Sequence, residues 1–199
     1  MTTIAALVLT YNEEDYIKEC LESVNWVDEI VIIDSYSSDR TIKIARKNTD
    51  KIYKKEFSSF SEQRNFGINK IKSDWILSID ADERVSDELK IEIQREINKN
   101  NDKVGYKIPF HNHFLGKWIK YCGWYPDYHL RLFKRAKGDF GNNMVHEEVN
   151  IRGEIGKLTG HINHFSYDNL SEFLYKTDYY TNLSAKEMYE ENKKFRLRD

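Results

Sequence analysis

The chain has 199 residues, 40% of them hydrophobic and 32% charged, which suffices for one packed domain and not for two independent ones. Its 31 Lys and Arg against 33 Asp and Glu leave a formal net charge of -2, so no global field draws a polyanion and nucleic-acid binding by bulk charge is excluded. The longest apolar run, Ile4 to Leu9, is far short of the roughly 20 residues of a membrane-spanning helix, and with no signal segment and only Cys20 and Cys122 the chain reads as a cytoplasmic protein without a disulfide scaffold or a cysteine zinc site.

In chain order, the apolar run from Ile4 to Leu9 predicts a buried strand. Asn12 with Glu13, Glu14 and Asp15 suits a helix start, and Ile17, Cys20, Leu21 and Val24 recur at one-face helical spacing. Glu29 to Asp34 is a second strand, and Ser38 or Asp39 can cap a helix carrying Ile42 and Ala45. A weaker strand at Ile52-Tyr53, a helix from about Ser61 to Ile71 and a strong strand from Trp75 to Ile79 continue the alternation. Ser86 opens a helix with Leu89, Ile93 and Ile97 on one stripe. Strands separated by helices need crossover connections, so the first hundred residues predict a mostly parallel sheet covered on both faces.

Beyond Tyr106 the alternation disappears into an aromatic-rich stretch, predicted to be irregular apart from short strands at Val104 to Ile108 and Leu130 to Phe133. A long helix follows Asn169, which has capping-box spacing to Glu172, and its end from Lys193 to Arg198 is basic and amphipathic. That end is either a solvated helix terminus or a peripheral contact with an anionic membrane.

In an open parallel sheet the ligand sits beyond the carboxyl ends of the strands. Those ends here are Thr10-Tyr-Asn-Glu13, Asp34-Ser-Tyr-Ser-Ser-Asp39 and Asp80-Ala-Asp-Glu-Arg84. No glycine-rich phosphate loop is present, so a nucleotide diphosphate would need other neutralisation. Asp80 and Asp82, two residues apart as the chain leaves a strand, can place oxygens on one divalent cation, or can cap the next helix. Asp34 can accept from a base or ribose or be a solvated loop acid, and Tyr11 offers an aromatic face.

Leu9-Thr-Tyr-Asn-Glu-Glu14, Ile33-Asp-Ser-Tyr-Ser-Ser-Asp-Arg-Thr41, Gln63-Arg-Asn65, Asp74-Trp-Ile-Leu-Ser-Ile-Asp-Ala-Asp-Glu83 and Val145-His-Glu147 together resemble, in order, the family 2 glycosyltransferases with the GT-A fold. Gly123-Trp-Tyr-Pro-Asp127 and Leu130-Arg-Leu-Phe133 are similar to the bacterial branch that includes lipopolysaccharide-core glucosyltransferases. The resemblance implies one α/β domain over residues 1–199: a Rossmann-like nucleotide-sugar half at 1–100, an acceptor-side half at 101–168 and a C-terminal helix at 169–199. It implies a nucleotide-sugar donor, most often a UDP-sugar, a divalent metal (Mn2+ or Mg2+) and a cell-envelope saccharide or glycolipid acceptor. By position Thr10, Tyr11 and Glu13 would contact base and ribose, Asp34 the base, Asp80 the ribose or a metal-bound water, and Asp82 the metal. The chain departs from the family where Asp34-Ser35 replaces paired acids. Arg64 can pair with the diphosphate or be a surface helix arginine.

Inverting transfer needs a general base on the acceptor side. Glu147 is the candidate that the resemblance favours, since Glu148 would face the other way on a regular strand, and Asp127 is the alternative. His146 can complete a metal site with Asp80 and Asp82 or be structural. Trp118, Tyr121, Trp124 and Tyr125 can form an acceptor groove or serve as core. Two rival functions remain at this stage: a non-catalytic nucleotide-sugar or glycan-binding module, and a metal-dependent nucleotidyl or phosphoryl transferase.

Overall fold

The computed structural model describes residues 2–99, 101–141, 149–167 and 169–190. The first half runs β1 (Ile4–Thr10), α1 (Ile17–Ser23), β2 (Glu29–Asp34), α2 (Thr41–Ala45), β3 (Ile52–Lys54), α3 (Phe60–Ile68), β4 (Trp75–Asp80), β5 (Glu83–Val85) and α4 (Asp87–Ile97). The second half adds β6 (Lys103–Phe114), β7 (Lys117–Trp118), β8 (Asp127–Lys134), β9 (Gly138–Phe140), β10 (Val149–Ile151), β11 (Glu154–Lys157), β12 (Ile162–Tyr167) and α5 (Leu170–Glu190).

The architecture is α/β. β3, β2, β1 and β4 pair in parallel, and the order continues through antiparallel β8 and β6 to β12 and β5, with β7 and β11 also paired to β6. Alternation along β1 divides the core. Ile4, Ala6 and Val8 pack with Leu21 of α1, Ala45 of α2 and Leu89 of α4, while Ala5, Leu7 and Leu9 pack with Ile33 and Ile76 and, on α3, Phe66 and Ile68. Each face of the parallel half is therefore covered, as crossover connections require. α3 lies so close to β1 that a Cβ on Gly67 would meet Leu7 Cδ1 at 2.3 Å.

Two helix starts follow their capping residues: Ser59 Oγ accepts from Glu62 N and Ser86 Oγ from Leu89 N, each at 3.2 Å. Asn12, expected to start a helix, does something else. It sits at φ 54°, and α1 begins only at Ile17. Its side chain instead ties two strand-end loops together, accepting from Ser38 N at 2.8 Å.

The second half is more regular than its aromatic stretch suggested. β6 extends twelve residues because it gains partners on both sides, β8 on one and β12 or β11 on the other, and those partners are distant in sequence. Among the described residues no helix is long and apolar enough to cross a membrane. The basic end at Lys193 to Arg198 lies outside the described residues.

Candidate active site

The ends of β1 and β2 are held by short polar side chains. Asp34 has no exposed surface, and its oxygens accept from Ser37 N at 3.1 and 3.2 Å and from Ser37 Oγ at 2.5 Å. That turn holds Tyr36 at φ 64°, a strained value for a bulky residue, and leaves the residue 57% exposed. Across from it, Glu13 N donates to Thr41 Oγ1 at 2.8 Å and Glu14 N to Asp39 Oδ2 at 3.1 Å. The two loops are thereby fastened to each other, and Tyr11 beside them is 59% exposed.

At the end of β4, Asp80 lies between two guanidinium groups. Arg64 Nη2 donates to its oxygens at 3.0 and 3.1 Å while Nη1 donates to Ser78 Oγ at 2.8 Å. Arg131, reaching over from β8, donates from Nη2 to Asp80 Oδ2 at 3.2 Å and to Glu83 Oε1 at 2.8 Å. Glu83 has no exposed surface, and its Oε2 accepts the Asp80 N–H at 2.9 Å. Burial works against charge on Asp80, but Arg64 and Arg131 outweigh it and hold the carboxyl far below the usual range. For Glu83 burial prevails and pushes the carboxyl up to about 7, with Arg131 opposing.

Asp82 faces another partner. Its Oδ2 lies 3.4 Å from His164 Nε2 on β12, whose register with β5 sets His164 opposite Glu83. Burial disfavours the charged ring, yet the hydrogen bond and charge of Asp82, helped by Glu83 and Asp80, push His164 up to about 8. Asn112 Oδ1 is 2.9 Å from His164 Nδ1, and Asn112 Nδ2 donates to Asp127 Oδ2 at 3.0 Å. His129 Nε2 lies 2.9 Å from Asp127 Oδ1, and this hydrogen bond is the chief influence holding the Asp127 carboxyl below its ordinary value.

These groups surround an open cleft of about 1530 Å³ at the carboxyl ends of β1, β2 and β4. Of the residues singled out in sequence, Thr10, Tyr11, Glu13, Arg64, Asp80 and Asp82 line it. Arg64 is 4% exposed and so is a buried arginine, contrary to a surface helix position. Asp34 lies beneath the wall, where it shapes the loop. Asp127 is off the wall while its neighbours Tyr128 and His129 are on it. His146, Glu147 and Glu148 lie outside the described residues.

The proposed acceptor groove is corrected. None of Trp118, Tyr121, Trp124 and Tyr125 lines the cleft; Trp118 stacks on His111 at 3.7 Å, and His111 stacks on His161 at 3.7 Å. Tyr128, Tyr175 and Tyr179, from β8 and α5, line the cleft instead. Sequence reasoning also missed Arg131, Glu83 and His164. For Arg131 a signal existed in Leu130-Arg-Leu-Phe133, an alternating strand carrying a charge where its neighbours are apolar.

Among the described residues no three His, Cys, Asp or Glu side chains gather as a ready cation cage. Asp80 is already neutralised by arginine, whereas Asp82, 19% exposed at its side chain, has His164 as its partner. A carboxylate such as Asp82 would fit a divalent cation whose other ligands include diphosphate oxygens, the oxygen set that suits Mg2+ or Mn2+, and the neighbouring His164 imidazole offers a nitrogen beside it.

The family model of glycosyl transferase family 2 matches residues 6–152. The chain belongs to glycosyl transferase family 2. With the curated relatives this makes it a glycosyltransferase by class. It is 28% identical over 207 residues to an uncharacterized glycosyltransferase of Rickettsia typhi, covering 98% of this chain and 71% of that one. It is 27% identical over 206 residues to the lipopolysaccharide core biosynthesis glycosyltransferase LpsC of Rhizobium meliloti, covering 98% of this chain and 74% of LpsC. The fold is similar to that of S. aureus TarS residues 1-349, solved also with UDP-GlcNAc. The TM-score with the unliganded form is 0.59 at 17% identity, covering 83% of this chain and 61% of that one. The chain thus spans about three fifths of the solved TarS chain.

Proposed function

We propose that this family 2 glycosyltransferase moves a hexose from a UDP-sugar to a saccharide or glycolipid of the cell envelope, with inversion. The observation that carries the reading is the cleft itself, where exposed Tyr11 and Tyr36, Asp82 and the Arg64 and Arg131 guanidinium groups line or border one opening at the strand ends. Tyr11 supplies a face for the base, and Thr10 and Glu13 border the ribose. Asp34 acts on the base through the loop that it holds. Asp82, with His164 beside it, would hold Mn2+ or Mg2+, which when bound neutralises the diphosphate leaving group. Arg64 and Arg131 keep Asp80 ionised and aligned beside that position, as a ligand of ribose or metal-bound water requires.

Both oxygens of Asp127 are engaged by Asn112 and His129, and its basicity is depressed. That suits an anchoring acid better than a proton acceptor. Glu147 is therefore assigned as the base that takes the acceptor hydroxyl proton. The acceptor class draws support from similarity to LpsC, whose name places it in lipopolysaccharide core biosynthesis. Incubation with UDP-hexoses and Mn2+ tests the reading. Release of UDP supports it; binding without release supports a non-catalytic module, and release of pyrophosphate supports nucleotidyl transfer.

A further inference from the structure

The aromatic residues that stay outside the cleft, Trp118, Tyr121, Trp124 and Tyr125, lie with Leu115 in the stretch that joins β6 to β8 through β7. Residues 114–126 contain Lys117 and Lys120 and no acid, in a chain whose net charge is -2. Tyr121 is 79% exposed, Leu115 47% and Tyr125 39%. Contacts join these side chains into one patch. The Tyr125 ring stands edge-on to Trp118 with centroids 5.5 Å apart, Trp124 meets Phe114 at 6.4 Å, and Lys120 Nζ lies 4.4 Å from the centre of the Trp118 ring. An apolar patch of connected side chains calls for an explanation that scattered exposed residues do not.

The tip of the patch carries the second observation. Phe114 pairs with Lys117, which leaves a two-residue turn, and both turn residues have positive φ, Leu115 at 50° and Gly116 at 75°. Such a turn takes Asn-Gly by preference, because asparagine tolerates the left-handed region and a bulky side chain does not. Leucine in that place is unfavourable for the backbone and, half exposed, for hydration as well. Its N–H donates to Tyr167 O at 3.0 Å, a bond that asparagine would make equally, so this contact does not account for the side chain.

We propose that the hairpin docks the protein on an anionic lipid bilayer, with Leu115 at the acyl boundary, the tyrosine and tryptophan rings at headgroup level and Lys117 and Lys120 on the lipid phosphates. Composition decides the occupant. Tryptophan and tyrosine join an apolar body to a polar edge, and an apolar tip with lysines and no acids matches a layer that is apolar within and negative at its face. The patch leads directly into β8, whose Tyr128 and His129 line the cleft, so docking brings the bilayer to the cleft rim. Resting on the function proposed above, this makes the acceptor a glycolipid presented by that bilayer and not a saccharide in solution.

The test is co-sedimentation of the full chain, without nucleotide, with vesicles of phosphatidylcholine alone and of phosphatidylcholine mixed with phosphatidylglycerol. The mixed vesicles should bind it and the neutral ones should not. Leu115→Asn should weaken that binding roughly 5- to 10-fold by removing about half a leucine of buried apolar surface, while its thermal midpoint holds or rises because asparagine suits the turn. Lys117→Gln combined with Lys120→Gln should weaken it roughly 30-fold, about fivefold for each lysine. No binding to the mixed vesicles, equal binding to both kinds, or undiminished binding in either variant would overturn the proposal. A dimer in sedimentation velocity that Leu115→Asn dissolves would also overturn it, by assigning the patch to a second copy of the chain. Binding of UDP with Mn2+, measured without vesicles, should be the same in all three proteins. Its absence from the unmodified chain would count against the functional reading, whereas the vesicle measurements decide the docking independently.

Discussion

Replacing Arg131 by Met keeps an apolar stem beside Phe110 and removes the guanidinium that joins Asp80 to Glu83. Asp80 retains Arg64, but Glu83 loses the cation 2.8 Å from its Oε1. Burial already lifts the Glu83 carboxyl from 4.5 to about 7 against the pull of Arg131. Without that pull it rises further. A carboxyl whose folded pKa exceeds its unfolded value costs stability as pH rises from the unfolded value to the folded one. In the native chain that loss ends around pH 7, whereas in Arg131→Met it continues to higher pH. Each unit by which the carboxyl rises adds about 1.4 kcal/mol to the defect at alkaline pH. At about pH 6 Glu83 holds a proton in both proteins, and the defect should be the smaller one set by the lost hydrogen bonds and by the lost charge beside ionised Asp80, which does not change between the two pH values. Urea unfolding of both proteins at about pH 6 and about pH 9 measures the difference. A defect of equal size at the two pH values would refute the assignment of Glu83 as a buried acid governed by Arg131.

Glu147→Gln should retain UDP affinity and lower transfer by roughly 10²- to 10⁴-fold, with Glu148→Gln nearly unaffected; full transfer in Glu147→Gln moves the base elsewhere. Asp82→Asn should weaken Mn2+-dependent UDP binding more than Asp34→Asn does, while Asp34→Asn should cost about 1–3 kcal/mol in thermal unfolding because its buried bonds to Ser37 shape the loop. His111, stacked between Trp118 and His161, is pushed down to about 4 by burial and by the nearby charges of His161, His113 and Lys120. Its folded pKa lies below the unfolded value, so stability should fall as pH drops from about 6.5 to about 4. His111→Phe keeps the stack and should flatten that dependence in a pH series of unfolding midpoints.

The parallel half was legible because its signals are local. Apolar runs such as Glu29 to Asp34 and Trp75 to Ile79 mark strands without any knowledge of their neighbours, and Ser86 marks a helix start within four residues. The cleft followed from those strands, since their carboxyl ends can be read off once the strands are known. What failed depends on pairing across long separations. His164, the imidazole beside Asp82, was not singled out, because only the β5–β12 register brings it there. Arg131 meets Asp80 only because β8 lies antiparallel to β4. Trp118 looked like a sugar platform, and its stack with His111 depends on the β6–β7 turn, which composition does not reveal. Asn12 has the composition of a cap, but the hydrogen bond from Ser38 in the neighbouring loop competes for its side chain and prevails.

Calorimetric titration of UDP into the protein with Mn2+, with a chelator, and with GDP in place of UDP tests the account most directly. The cleft has no glycine-rich loop to bind a diphosphate, and Asp82 would repel one unless a cation intervenes. UDP should therefore bind appreciably with Mn2+, lose that affinity with chelator, and bind better than GDP. Equal UDP affinity with and without the metal, or tighter binding of GDP, would contradict it.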